Sequence, residues 1–412
     1  MVRILLREAA VADCRSDRPE VGISALVEDG RLSWLKPTSD EGDLGPASDL
    51  EIVDASGGTI VPGLVDGHSH ITLPGGAHYL DRIDDGPEAL LRAADRNGRL
   101  LTRAGVRWAR DVGSPRYPDP EDGGRTRGLA LGVRDRWRSD SERPYIVAAG
   151  TWLERAGTLP RTVHTVAASN ADELLANAVG QLDEGADMLK LYLDGPDIAA
   201  SPWSADEVER VTAMAHGRGA KVTAHATRLS GVTAGVLGGV DSIEHGEDLD
   251  ADVCAEMARR GTYLVSTMSV YASWATFATT TTVPRYTTDP FASKVGERLE
   301  GARASVGFAH RAGVRIVAGT DFGGGSVRAG FLAGEVELLV QAGLEPWEAL
   351  AAATWRGGEL MGNDAGVLRE GGPADFLLVH GNPLETASAL WRVWWVGWQS
   401  DQPRRRSLGQ DA

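Results

Sequence analysis

Between about residue 63 and residue 361, short apolar runs and amphipathic stretches take turns with little interruption. The apolar runs are GLVDGHSH (63–70), VRWARDVG (106–113), YIVAAGTWL (145–153), MLKLYLDG (188–195), KVTAHAT (221–227), DSIEHGE (241–247), YLVSTMSV (263–270) and VRIVAGTD (314–321). That makes eight, and each reads as a strand of a buried parallel sheet. Helical patterns separate most of them, at 87–105, 171–185, 204–219, 250–261 and 296–313, and two more follow at about 330–342 and 346–361. Parallel strands need long crossovers, and helices supply them. Eight strand–helix units over this length predict a TIM-like (β/α)8 barrel.

The two ends have a different texture. ILLREAAV, ISALVEDGRLSWL and LEIVDASGGTIVPG alternate apolar and polar residues between turn signals, so residues 1–62 predict a small β module. AGVLREGGPADFLLVHGNPLE returns to that texture after the barrel. The expected fold is therefore α/β, with a barrel over 63–363 inserted in a small β-sandwich formed by both chain ends, 1–62 plus 364–412. The final DQPRRRSLGQDA is polar and reads as a loose tail.

Composition narrows the partners. Of 412 residues, 42 are Lys or Arg and 58 are Asp or Glu, a net charge of −16. That balance repels phosphates and disfavours nucleic acid and anionic membrane surfaces, leaving a small-molecule substrate as the expected partner. Hydrophobic residues make up 42%, which excludes global disorder. Cys14 and Cys254 have no CxxC spacing, so neither a disulfide framework nor a thiolate zinc site is expected. With no signal-peptide pattern at the N-terminus and no apolar run of membrane length, the expected location is cytoplasmic. Four of the twelve tryptophans, Trp391, Trp394, Trp395 and Trp398, crowd the tail, where sandwich packing or a homo-oligomer interface accounts for them best.

Catalysis in such a barrel sits at the C-terminal ends of the strands. Six residues able to bind metal or take a proton fall there. His68 and His70 end the first strand two residues apart, so both rings share one face. Lys190 interrupts the apolar run of the fourth strand, where an unpaired ammonium is costly. His225 ends the fifth strand, His245 the sixth, and Asp321 the eighth. Singly, each has an ordinary structural explanation; together, at one end of strands 1, 4, 5, 6 and 8, they suggest a metal centre. Nitrogen and oxygen donors without thiolate suit zinc, and also manganese, iron or cobalt. His216, His310 and His380 fall on helices or in the tail and read as structural or surface groups, while His78 and His164 lie in loops after strands 1 and 3.

These pieces resemble the amidohydrolase superfamily of metal-dependent hydrolases. The matching segments are Val61-Pro-Gly-Leu-Val-Asp-Gly-His-Ser-His70, Ala186-Asp-Met-Leu-Lys-Leu191, Thr223-Ala-His-Ala226, Ile243-Glu-His-Gly246 and Gly319-Thr-Asp321, with Gly372-Pro-Ala-Asp-Phe-Leu-Leu-Val379 in the tail. The chain looks closest to the imidazolonepropionase-like group that includes Xaa-Pro and Xaa-Arg/Lys dipeptidases. The resemblance implies two divalent metal ions, zinc before others. His68, His70 and Asp321 would hold one and His225 and His245 the second, with carbamylated Lys190 as the bridging ligand. It also implies a metal-bridging hydroxide as nucleophile and Asp321 as the catalytic proton carrier.

The surroundings depart from that group. Relatives often read His-Ala-Tyr after the fifth strand, where this chain has His225-Ala-Thr-Arg228. They often read Gly-Gly-His after the third, where it has Ala149-Gly-Thr-Trp-Leu-Glu-Arg155 with His164 further on. The end of the seventh strand, Thr267 to Trp274, matches no familiar pattern. By residue type, Arg228 is placed to bind a substrate carboxylate, and Trp152, Tyr192, Tyr271 and Trp274 to line a pocket. His164 is a further candidate contact. The expected activity is hydrolysis of an amide C–N bond in a dipeptide or N-acyl amino acid. The alternatives are a cyclic amide or imidazolone hydrolase, a deaminase, a lactonase, a carbamate hydrolase, and, ranked last, a non-catalytic oligomeric scaffold.

Overall fold

A computed structural model describes residues 3–45, 49–159, 164–288 and 291–398. The chain opens with five strands, β1 (Arg3–Val11), β2 (Glu20–Glu28), β3 (Arg31–Pro37), β4 (Leu50–Asp54) and β5 (Gly58–Pro62). The barrel then begins with β6 (Leu64–Ser69), the one-turn helix α1 (Tyr79–Arg82) and α2 (Pro87–Arg103). It continues through β7 (Val106–Asp111), the hairpin β8 (Arg116–Asp119) and β9 (Arg125–Gly128), α3 (Leu129–Trp137) and β10 (Tyr145–Ala148). Two short strands, β11 (Leu153–Arg155) and β12 (Val166–Ala168), precede α4 (Ala171–Asp183). Regular alternation follows: β13 (Met188–Tyr192), α5 (Ala205–Gly217), β14 (Lys221–Ala226), α6 (Leu229–Leu237), β15 (Ser242–His245), α7 (Ala251–Arg260) and β16 (Tyr263–Ser266). Helices α8 (Met268–Thr280), α9 (Pro284–Thr287) and α10 (Phe291–Arg311) lead to β17 (Ile316–Ala318). Then come α11 (Leu332–Gln341), α12 (Pro346–Ala352) and α13 (Trp355–Met361), and the last strands β18 (Phe376–His380) and β19 (Val393–Val396).

The eight expected barrel strands are β6, β7, β10, β13, β14, β15, β16 and β17, all parallel to their neighbours. The ring closes by a parallel bridge of Ala149 with Met188 and another of Ser69 with Phe322. At that second seam β6 and β17 lie so close that a Cβ on Gly67 would stand 2.5 Å from Val317 Cγ1. Glycine is what lets the last strand reach the first.

Two expected strands are shorter than their apolar runs. The third stops at Ala148, and residues 149–152 turn away before Leu153–Arg155 pairs with β12 and β13. The seventh stops at Ser266, and Met268 begins a helix rather than continuing the strand. The buried carboxylate of Glu335 decides this. It accepts from the backbone N–H groups of Met268 and Ser269 at 3.1 and 2.7 Å, and so caps the first turn of α8.

The strands from the two chain ends form one seven-stranded sheet in the order β19-β18-β5-β1-β2-β3, with β4 also on β1. β1 breaks register between Leu6 and Ala9; its first half pairs with β4 and its second with β5. The sheet thus bends, and Ile4, Leu6, Val27, Leu32, Ile60, Phe376, Leu378 and Trp395 meet in one core. The expected tail at 401–412 lies outside the described residues. No helix among the described residues is long and apolar enough to cross a membrane.

Candidate active site

The six strand-end residues point into one mouth. His68 and His70 end β6, and their Nε2 atoms lie 3.5 and 3.2 Å from Asp321 Oδ1, just past β17. Single donor atoms from these three residues all fall within 4.8 Å of one another, a spacing that fits one metal ion. From His68 the rings continue to His245 at 4.7 Å between centroids, and from His245 to His225 at 4.7 Å. Lys190 sits on β13 beneath this arc, 2% exposed, and its Nζ has no hydrogen-bond partner among the described residues.

Three of the four imidazoles are tied at Nδ1, which leaves Nε2 to face the centre. His68 Nδ1 meets Glu244 Oε2 at 2.6 Å, His70 Nδ1 meets the Gly113 carbonyl at 2.7 Å, and His245 Nδ1 meets Thr267 Oγ1 at 2.8 Å. This is how protein metal sites aim their histidines. His225 instead turns Nε2 toward Asp194 Oδ2 at 3.3 Å. His245 and Asp321 are both held at positive φ, 74° and 51°. Such strain, of order 1–3 kcal/mol each, persists where the surroundings over-determine a functional side chain. Gly324 lets the chain pass directly over His70; a Cβ there would stand 2.3 Å from the ring.

A buried polar core under the mouth supports these groups, and sequence reasoning did not single it out. Glu244 is wholly buried; it accepts from Arg110 Nη1 at 2.9 Å, from Ser242 Oγ at 2.8 Å and from the Thr223 hydroxyl. Arg110 also donates to Ser242 Oγ at 2.7 Å and to the Gly67 carbonyl at 3.1 Å. Burial would raise the Glu244 carboxyl, but Arg110 and His68 hold it well below the usual range. Likewise burial opposes ionisation of Asp321, yet His68 and His70 keep it well below the usual carboxylate range. Burial pushes Lys190 down to about 8, against the pull of Glu244. His245 is driven well below its usual value by burial and by its neighbours His225 and His68. The motif Ile243-Glu-His-Gly246 held one signal for this core, since Glu244 is a charged residue inside a buried strand.

The candidate substrate contacts are spread more widely. Trp152 is buried with its ring 5.4 Å from His70, and Tyr192 stacks on His225 at 4.3 Å. Tyr271 is buried and donates its hydroxyl to Glu247. Arg228 lies exposed at the start of α6; its backbone N–H donates to Asp194 Oδ1 at 3.3 Å and its carbonyl accepts from the Val232 N–H at 2.9 Å. His164 pairs with Asp84 and with the Tyr117 hydroxyl, both at 2.9 Å. The other histidines also have partners away from the cluster: His216 with Asp241, His310 with Glu348, His78 with Asp81, and His380 stacked on Trp394.

Known proteins are similar to this chain over most of their length. An uncharacterized protein of Mycobacterium tuberculosis is 31% identical over 379 residues, covering 90% of this chain and 89% of its own. An imidazolonepropionase of Saccharopolyspora erythraea is 27% identical over 399 residues, covering 90% and 89%. The solved structure of a Xaa-Pro dipeptidase superposes with a TM-score of 0.78 at 23% identity, covering 95% of this chain and 97% of its own. The sequence pattern of the amidohydrolase family matches residues 59–397, from the last strand before the barrel to the strand that completes the outer sheet, and the chain belongs to that family.

Proposed function

We propose that the chain is a binuclear metal-dependent hydrolase that cleaves the amide C–N bond of a small molecule such as a dipeptide or an N-acyl amino acid. Lys190 is the observation that carries this reading. A fully buried amine with no hydrogen-bond partner among the described residues, beside histidines and a carboxylate, is costly to keep as an ammonium. An amine that attacks CO2 at Nζ and sheds a proton becomes a carbamate, whose two oxygens would add a second carboxylate to the one that Asp321 supplies. The residues present therefore fit two ions. His68, His70 and Asp321 would hold one, His225 and His245 the other, and carboxylated Lys190 both. The donor set suits zinc first. When bound, the ions supply Lewis-acid polarisation of a carbonyl and lower the pKa of water.

The chain's own groups supply the rest. Asp321 is anionic at neutral pH, so its carboxylate can take a proton and return it to the leaving nitrogen. Glu244 and the Gly113 carbonyl hold the Nδ1 edges of His68 and His70, which fixes both rings. Trp152 and Tyr192 wall the centre on two sides and keep water from those faces. Relatives named imidazolonepropionase and Xaa-Pro dipeptidase support a substrate with a C–N bond to hydrolyse.

Metal content per chain, measured on wild type and Lys190→Ala purified with 13C-bicarbonate, tests the reading. Wild type should hold about two ions and show a carbamate carbon resonance; the variant should lose the resonance and most of the metal. One ion in both proteins would sink the binuclear site and redirect the search to cyclic amides and deaminase substrates.

A further inference from the structure

The barrel mouth holds a charged pair that the metal-type cluster does not use. Glu247 follows His245 by two residues. Arg298, in the first half of α10, donates to it from Nε at 2.7 Å and from Nη2 at 2.6 Å. The Tyr271 hydroxyl donates to the same carboxylate. The guanidinium carbon stands 4.8 Å from the Tyr271 ring centroid and 5.6 Å from that of Trp274. Both rings are on α8, which leaves the C-terminal end of β16, so the group belongs to the catalytic face of the barrel.

The pair is lopsided. The Glu247 side chain is 7% exposed, whereas that of Arg298 is 40% exposed. Glu247 takes one edge of the guanidinium, and Nη1 has no partner among the described residues. Trp274 Nε1 is a second donor without an acceptor among the described residues, and it is buried. An unmade hydrogen bond there is costly, and an oxygen of a ligand would remove the cost. The rings and the carboxylate hold the guanidinium in place before any ligand arrives, so little rotamer freedom is left to lose on binding. Tyr79 links this patch to the centre: its ring lies 6.4 Å from that of Trp274, and its hydroxyl feels the charges of both Asp321 and Arg298. Arg228, by contrast, stands exposed, with no ion pair or ring contact at its side chain among the described residues.

We propose that Arg298 and Trp274 form a subsite for the free carboxylate of the substrate, with Tyr271 and Tyr79 against the apolar or aromatic group next to it. Glu247 is the positioning residue. The proposal rests on the reading of the mouth as an amide-hydrolysing site and narrows its substrates to amides that carry a free carboxylate.

Calorimetric titration of the metal-loaded full chain with 3-phenylpropionate and with 3-phenylpropanamide tests it. The two probes differ only in the charged end. Wild type should bind the acid at least about tenfold more tightly than the amide, the preference expected of a charge-assisted pair. Arg298→Gln should erase that preference, and Arg298→Lys should keep part of it. Equal affinities in wild type, no binding of the acid at millimolar concentration, or an undiminished preference in Arg298→Gln would each overturn the subsite. The wild-type comparison needs no variant, so a folding defect cannot hide the answer. Metal content of the same samples separates the two readings. About two ions without acid preference removes the subsite alone; acid preference without bound metal removes the hydrolase and leaves the subsite standing.

Discussion

Glu244 is the residue on which the barrel interior balances. It is wholly buried, and its charge is offset by Arg110 on one side while it fixes His68 on the other. Replacing such a pair by a well-packed apolar pair can be neutral, but removing one partner strands the other charge. Arg110→Met should therefore destabilise the protein by about 3–5 kcal/mol in chemical denaturation. Glu244→Gln keeps the shape and weakens the hold on His68, so zinc affinity in a chelator competition should fall about 10–100-fold. If Arg110→Met unfolds at the wild-type denaturant concentration, the balance described here is wrong. That the six residues of the candidate site gather at one end of the barrel was legible in the sequence, because strand ends can be read from apolar runs and the barrel gathers strand ends. The partners of those residues were not. Arg110 meets Glu244 across 134 residues and Arg298 meets Glu247 across 51, and no local pattern records either distance.

At the scale of elements, eight strands announced themselves as apolar runs, but α3, α6 and α8 did not read as helices. Each carries a long apolar stretch with no regular polar stripe: LALGV, GVTAGVL and MSVYA. Most of α6 and the first turns of α3 and α8 are buried, and buried segments lose the amphipathic signal that marks surface helices. For α8 the deciding group is Glu335, some 67 residues away on α11, whose carboxylate takes the helix N-terminus and the Ser266 hydroxyl. Glu335→Ala should cost about 1–3 kcal/mol, because buried N–H groups lose their acceptor. Burial outweighs those donors and holds the Glu335 carboxyl above its usual value. The native state thus binds this proton more readily than the unfolded chain does. The associated stability is complete below the unfolded value of about 4.3 and is lost as pH rises through the native one. Glu335→Gln cannot lose a proton, so its stability measured against pH should be flatter on that limb than the wild type. Parallel curves would refute the assignment.

At the scale of the whole molecule, the sheet made from both chain ends and the barrel share one interior. Val61, Leu377, Val379, Leu390, Val396 and Trp398 belong to the same buried cluster as Leu64, Val106 and the barrel strands beyond them. β5 runs directly into β6 with only Gly63 between, and the Gly63 N–H donates to the Asp375 carbonyl at 2.8 Å. The Asp375 carboxylate takes Arg107 Nε at 2.7 Å, and the same guanidinium lies 5.2 Å from the Trp398 ring and 4.0 Å from that of Tyr145. Arg107 is 2% exposed and also donates to the carbonyls of Ser141 and Arg143. Inter-domain contacts inside a chain are usually polar and loose enough to let each part melt alone. Here the contact is a continuous apolar core with a buried arginine through it, so sheet and barrel should unfold together. Differential scanning calorimetry of the full chain should show one transition. A chain cut after residue 363 loses β18, β19 and the cluster residues they carry, so it should show no cooperative transition, with its barrel sequence and all six strand-end residues intact. Two separated transitions in the full chain, or a cooperative melt in the shortened one, would mean that the barrel stands without the sheet.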